Sequence, residues 1–528
     1  MRRVRWVWLA LVAGVVLLSV AVCLWYVATR PRPRPPKPEK RTFQSRLAGT
    51  WYSADREALT AQLTTYLENV PPQELRDLHA LILPHAGYQY SGQTAAYGVK
   101  LVGRLPFIRV VVLGPSHYVP MENVASVPDY THYATSLGEV PIDLEFIAAL
   151  KQYPWFKTIP IAHEEEHSVQ IQVPLLQRVL SDFSLVPIVV GELDLETVRM
   201  MGRVLAGLVD PKTLVIASSD FTHYGPRFGY VPFRENVPQN IQELDRKSFE
   251  YIRRKDEEGF LSFVRNDGPT ICGYCPIAVL LAMVPETSQG QWLHYETSGA
   301  LTGDFTQSVS YLAVAFTGRW ADLERLPPPP PLSLSDADKQ RVLQIARETL
   351  AFTLEHRRVP ELEELNVEIT PAMKQIAGVF VTLYKNGRLR GCVGQVCPCR
   401  PLYRGVMLQT LNAALNDRRF PPVRPEELGE LAFQVSLFRE GPRPVDSYTA
   451  IELGRHGIII EKQGRQALFL PKVPLEEGWT LEETLDHLCL KAELPRDAWK
   501  SGASFSVFEG TVFPENPEQS GAELDVAG

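Results

Sequence analysis

The sequence predicts an α/β protein of two globular domains behind one N-terminal transmembrane helix. Three observations carry that reading. Residues 6–28 hold no charge at all. Short apolar runs then alternate with helix-like stretches as far as residue 320. Five consecutive prolines at 327–331 separate that region from a second one.

The 528 residues are 45% apolar and 22% charged, enough to fill real cores, which excludes a mainly disordered chain. The net charge of −7 is unevenly spread: residues 1–41 carry +8, leaving −15 on the remainder. An acidic body argues against direct nucleic-acid binding, whose affinity comes largely from phosphate neutralisation. Seven cysteines are too few for a disulfide scaffold of this length.

As a helix, residues 6–28 span roughly 35 Å, enough to cross a bilayer core. Trp6, Trp8, Trp25 and Tyr26 sit near the ends of the stretch, where amphipathic rings favour the interface. A cleaved signal peptide usually has a shorter apolar region and a small-residue cleavage site, and Tyr26-Val27-Ala28 makes a poor one. Val22 before Cys23 likewise argues against a lipoprotein. The expectation is an uncleaved, single-pass anchor in the cell membrane. Arg2, Arg3 and Arg5 flank one side, against Arg30, Arg32, Arg34, Lys37, Lys40 and Arg41 on the other. That asymmetry favours a cytoplasmic body. Residues 31–41, basic and proline-rich, read as a stiff spacer near anionic headgroups.

The first globular region is 42–320. Its apolar runs fall at 81–83, 110–113, 185–190, 214–217 and 312–316, with helix-like stretches at 55–68, 143–152, 167–180 and 194–208. This alternation predicts a largely parallel sheet covered on both faces, with ligands binding at the carboxyl ends of its strands. Three of the runs are followed by Pro84-His85, by Ser116-His117, and by Ser218-Ser219-Asp220-Phe221-Thr222-His223. His85, His117 and the Asp220/His223 pair thus converge on one sheet edge. Imidazole and carboxylate suit zinc, copper or iron. Each residue also has a structural alternative: a loop histidine bonded to backbone, a helix-capping Asp220, or a His223 that orients a ligand or shuttles a proton.

Two further segments bear on this edge. Cys272 and Cys275 form a Cys-x-x-Cys pair ahead of Pro276. A redox disulfide, a single metal-ligating thiolate, or two structural cysteines at a helix start all fit that spacing. Glu164-Glu165-Glu166 reads as a solvated helix N-terminus, and His167 as a base or a ligand-orienting group.

The linker is 321–334, the second region 335–515, and 516–528 a polar tail. A five-proline run breaks helix and strand and favours an extended spacer, with proline recognition as its functional alternative. Ser335 with Asp338 can cap a helix carrying Val342, Ile345, Ala346, Leu350 and Leu354 on one face. Cys392, Cys397 and Cys399 lack a fourth ligand and the usual zinc spacing, so they read as buried or loop thiols, with a reactive thiol at Cys392 as the alternative.

Taken together, PHAGYQYSG at 84–92, LGPSHYVP at 113–120, EEHSVQIQVPLL at 165–176, SSDFTHYGPRFGY at 218–230 and TICGYCPIAVLL at 270–281 resemble the Memo family, the protein B component of the AmmeMemoRadiSam system. The resemblance implies an α/β fold similar to class III extradiol dioxygenases. It implies a metal site at His85, His117 and Cys272, with Asp220 and His223 beside it. Tyr118 and Cys275 stand where the family commonly has histidines. The second region resembles the AMMECR1 domain, protein A of the same system, through RGCVG at 390–394, NAALNDRRFPP at 412–422 and His456-Gly457-Ile458. That resemblance implies an α+β fold.

The function these readings imply is a membrane-tethered, metal-dependent redox or dioxygenase-like enzyme working beside a radical-SAM partner. It would use one transition-metal ion, iron or copper with zinc also suited. Asp220, His223 and His167 would handle protons, and the substrate would be a small molecule or peptide. A thiolate in place of the usual carboxylate ligand argues against ordinary extradiol cleavage. The alternative is a non-enzymatic metal- or peptide-binding adaptor with a docking module.

Overall fold

The computed structural model describes residues 39–515 apart from Glu74, Asp322 and residues 329–331. The expected membrane span at 6–28 lies outside the described residues, as does the polar tail. Among the described residues, no helix is long and apolar enough to cross a membrane.

The first domain is built on four parallel strands lying side by side: Leu78–Leu83, Thr213–Ser218, Arg109–Pro115 and Ser184–Val190. Every residue of Leu78–Leu83 and of Thr213–Ser218 is buried. Continuous apolar runs of this kind can only sit where both sheet faces are covered. The helix Tyr88–Val102 packs on the Leu78–Leu83 strand, and Tyr274–Met283 packs on Thr213–Ser218 and Arg109–Pro115.

The sheet as a whole is mixed, where the apolar rhythm predicts a largely parallel one. Ser308–Thr317 runs antiparallel to Leu78–Leu83 and pairs on its other side with Gln289–Thr297. Ala125–Ser126 is antiparallel to Ser184–Val190. Gln289–Thr297 is mostly half-buried and lacks a continuous apolar run, because only an interior strand must be apolar on both faces.

The second domain holds, among the described residues, two four-stranded antiparallel sheets. One centres on Gly378–Lys385 and Leu431–Phe438, the other on Gly457–Lys462 and Ser504–Phe508. Asp336–His356 opens the domain with a capping box: the Ser335 hydroxyl accepts from the Asp338 N–H, and the Asp338 carboxylate accepts from the Ser335 N–H. Val342, Ile345, Ala346 and Leu350 are buried along one face of that helix, which packs on the Leu402–Leu411 helix. The domain is therefore α+β.

The described residues from Thr42 onward form one compact unit, and the two domains touch directly. The Glu122 N–H donates to the Cys399 carbonyl at 2.8 Å. Lys374 Nζ lies 3.2 Å from the Glu196 carboxylate. Cys399 and Ile376 of the second domain are buried in the apolar core of the first.

Candidate metal centre

Three adjacent parallel strands end together, and the residues just beyond them form the site. Leu78–Leu83 leads into Pro84-His85, Arg109–Pro115 into Ser116-His117, and Thr213–Ser218 into Ser219-Asp220. Cys272 arrives from the turn before the Tyr274–Met283 helix. Gly273 lets that turn lie against the end of Thr213–Ser218: its N–H donates to Ser219 Oγ at 3.0 Å. A Cβ there would meet Ser219 Cβ at 2.4 Å and the Ser218 carbonyl at 2.5 Å. Only a residue without a side chain permits this approach.

The result is a compact donor set. His85 Nε2 lies 3.0 Å from Cys272 Sγ, and one ligating atom each from His85, His117 and Cys272 all fall within 4.8 Å of one another. Two imidazoles and a thiol suit iron, copper or zinc and not magnesium.

The hydrogen bonds fix how each imidazole presents itself. Ser218 Oγ gives its hydrogen to the Ser168 carbonyl at 2.6 Å, so at 3.1 Å it accepts from His85 Nδ1. His85 Nε2 is left with a lone pair facing Cys272. His117 Nδ1 lies 2.9 Å from Glu166 Oε1, and a carboxylate only accepts, which leaves the His117 Nε2 lone pair free for a metal. His223 Nδ1 lies 2.8 Å from both the Phe221 and the Thr270 carbonyls and so carries its proton there. All three rings therefore share one tautomer.

The surroundings favour neutral groups. Burial, then the nearby His167, His117 and His223, hold His85 well below the ordinary histidine range. Burial, then the charge of Asp220, push the Cys272 thiol well above its ordinary value. A metal taking this thiolate must displace its proton. Asp220 is buried, its carboxyl raised by burial against the pull of His223 and the His85 N–H. Asp220 Oδ1 accepts from the His85 N–H at 2.8 Å, so Asp220 holds the loop that carries His85.

Glu166 corrects the reading of its acidic run. Glu164 and Glu165 are exposed beside Arg46, but Glu166 is only 2% exposed. It caps the His167–Gln170 turn from within, accepting from the Ser168 N–H at 2.9 Å and the His117 N–H at 2.7 Å. Burial alone would raise its carboxyl; the hydrogen bonds and charge of His117, with the charge of His167, hold it below the usual range. Glu166 also lies with His117 and His167 in a second group of donors within 4.8 Å. Its oxygens are already taken by three N–H donors, so it serves as the orienting group. A run of three acids carries no signal for which one turns inward.

His167 stacks on His117 with centroids 4.4 Å apart and lies 4.5 Å from the Trp51 ring. Its Nδ1 is buried without a hydrogen-bond partner, 3.6 Å from Glu166. Burial, then the charge of His117, push it down to about 4 against the pull of Glu166. Cys275 points elsewhere: its sulfur accepts from the Leu193 N–H at 3.4 Å, and burial pushes its thiol up to about 12. Both Cys272 and Cys275 are free thiols.

Residues 44–315 match the family model described as Memo-like protein, and residues 343–513 the model described as AMMECR1. A MEMO1 family protein of Methanopyrus kandleri is 35% identical over 286 residues, covering 51% of this chain and 97% of its own length. The Protein memo-1 homolog of Caenorhabditis elegans is 33% identical over 279 residues, 50% of this chain and 79% of its own. Protein MEMO1 of Homo sapiens is 32% identical over 285 residues, 51% of this chain and 95% of its own. All the strand-end residues described above fall inside the first of these matches, and the chain belongs to the Memo family, with an AMMECR1 domain fused behind it.

Proposed function

We propose that the first domain is a transition-metal redox or dioxygenase-like centre in which His85, His117 and Cys272 hold one iron or copper ion, with zinc also suited. The observation that carries this is the convergence of two Nε2 lone pairs and one thiol at the ends of two strands and one turn. When bound, such an ion supplies a Lewis-acidic, redox-capable centre for a small-molecule or peptide substrate. The chain's own residues do the rest. Glu166 fixes the His117 ring, and Asp220 fixes the His85 loop. His167, with a buried, unpartnered Nδ1 3.6 Å from Glu166, offers a nitrogen for proton transfer beside the site. His223 offers a second imidazole nitrogen beside Asp220.

Tethering to the cell membrane is supported by the uncharged stretch 6–28, and a cytoplasmic body by the excess of basic residues after it. A radical-SAM working partner rests on the resemblance of both fused domains to components of one system.

The test is metal analysis of the full chain, purified in detergent without oxygen, beside His85→Ala, His117→Ala and Cys272→Ala. One metal ion per chain, lost in each variant, supports the centre. A metal-free wild type favours the adaptor reading.

A further inference from the structure

A cavity of about 590 Å³ lies between the two domains, and the metal-site His117 is part of its wall. Tyr118 and Glu122 line it from the first domain, and Arg400, Tyr403 and Arg404 from the second. We propose that this cavity is the substrate pocket of the metal centre, completed by the second domain, and that it selects a small molecule carrying a carboxylate or phosphate group. The proposal rests on the reading that His85, His117 and Cys272 bind a metal.

The charge balance of the wall supports an anion. Its acids are largely committed. Asp194 caps a helix through the Thr197 N–H at 2.7 Å and takes the Asn123 amide at 2.6 Å. Glu192 accepts from the Tyr274 hydroxyl. Only Glu122 faces an arginine of the second domain, at a long 3.5 Å from Arg404 Nε. The arginines have capacity left. Arg400 lies against the Cys399 thiol, yet its Nε has no hydrogen-bond partner, and neither does that of Arg404. Arg404 has a single carboxylate contact, with its side chain 37% exposed. Guanidinium groups present forked donors that match carboxylate and phosphate oxygens. Arg404 also lies in the first turn of the Leu402–Leu411 helix, whose dipole adds positive potential there. The rings of Tyr118 and Tyr403 supply flat surface for the remainder of the ligand.

The placement explains why a second domain is held against the first at this point. The Glu122 N–H bond to the Cys399 carbonyl pins the Arg400 segment beside the loop that follows His117. An anion gripped by Arg400 and Arg404 would be positioned by one domain in a cavity walled by a candidate ligand of the other.

The experiment is calorimetric titration of the detergent-solubilised full chain with phenyl phosphate and with benzoate, alongside measurement of bound metal. Arg400→Gln and Arg404→Gln should each weaken binding at least tenfold. Glu122→Gln, which frees Arg404, should tighten it several-fold, a gain that a misfolded protein would not give. Metal content should stay unchanged in all three. Preference between the probes identifies phosphate or carboxylate as the selected group. Binding of neither probe, or binding indifferent to these substitutions, overturns the proposal. The metal content of the wild type separates the two readings. If the wild type holds no metal but its anion binding follows the arginines, the metal centre falls and the pocket stands as an anion site. If metal binds and no anion does, only the pocket falls.

Discussion

The carboxylate of Glu166 holds His117 at two points, its backbone N–H at 2.7 Å and its ring Nδ1 at 2.9 Å, across 49 residues of sequence. One buried acid thereby sets both the position of a candidate ligand and its tautomer. A neutral amide in its place could still accept one of these bonds but would not raise the basicity of the imidazole.

Glu166→Gln should accordingly lower metal affinity by about 10–100-fold while leaving the stoichiometry at saturation unchanged. Competition with a chelator measures the affinity. Equal affinity in variant and wild type would remove Glu166 from the site.

Gly273→Ala places a Cβ within 2.4 Å of Ser219 Cβ and 2.5 Å of the Ser218 carbonyl. Both belong to a buried strand end that cannot easily yield, so the Cys272 turn must move. The expected outcome is destabilisation by about 1–3 kcal/mol in urea unfolding, with reduced metal content. Ala substitution at Gly303, where a Cβ would meet nothing within 4 Å but φ is +77°, should cost stability through backbone strain alone and leave the metal content intact.

Acid stability of the second domain should depend on Glu427. Its carboxylate receives Arg390 Nε at 3.1 Å and Nη2 at 3.0 Å, and those hydrogen bonds hold it down to about 2 from an ordinary 4.5. A depressed carboxylate contributes its stability in full above the unfolded value and loses it as pH falls toward the folded one. Wild-type stability should therefore drop between about pH 4.5 and 2. Glu427→Gln should be less stable at neutral pH and flatter across that window. Chemical denaturation at a series of pH values reads both, and parallel curves for the two proteins would exclude the pair as a contributor.

Deletion of residues 1–41 should move the protein from the carbonate-resistant membrane fraction to the soluble one. Retention of the truncated chain in membranes would place the attachment elsewhere. Protease added outside intact cells should leave the body undigested; complete digestion would reverse the proposed orientation.

The sequence by itself determined the parallel strands and what lies just past their ends. Interior strands must be apolar on both faces, so 81–83, 110–113 and 214–217 stand out as continuous runs, and a histidine or aspartate immediately after such a run is placed by the chain's own connectivity. The family motifs added Cys272, which no strand-end argument reaches. The partners of these residues were decided only by the tertiary structure. Gln289–Thr297 was not legible because an edge strand need not be apolar throughout. Glu166 was not legible because Glu164, Glu165 and Glu166 are chemically alike, and only the turn of the backbone at His167 sends one of them inward. The cavity wall of Arg400 and Arg404 lies more than 250 residues from His117 in the chain. Local periodicity carries no information on contacts at that separation; they arise when two independently packed domains bring their surfaces together.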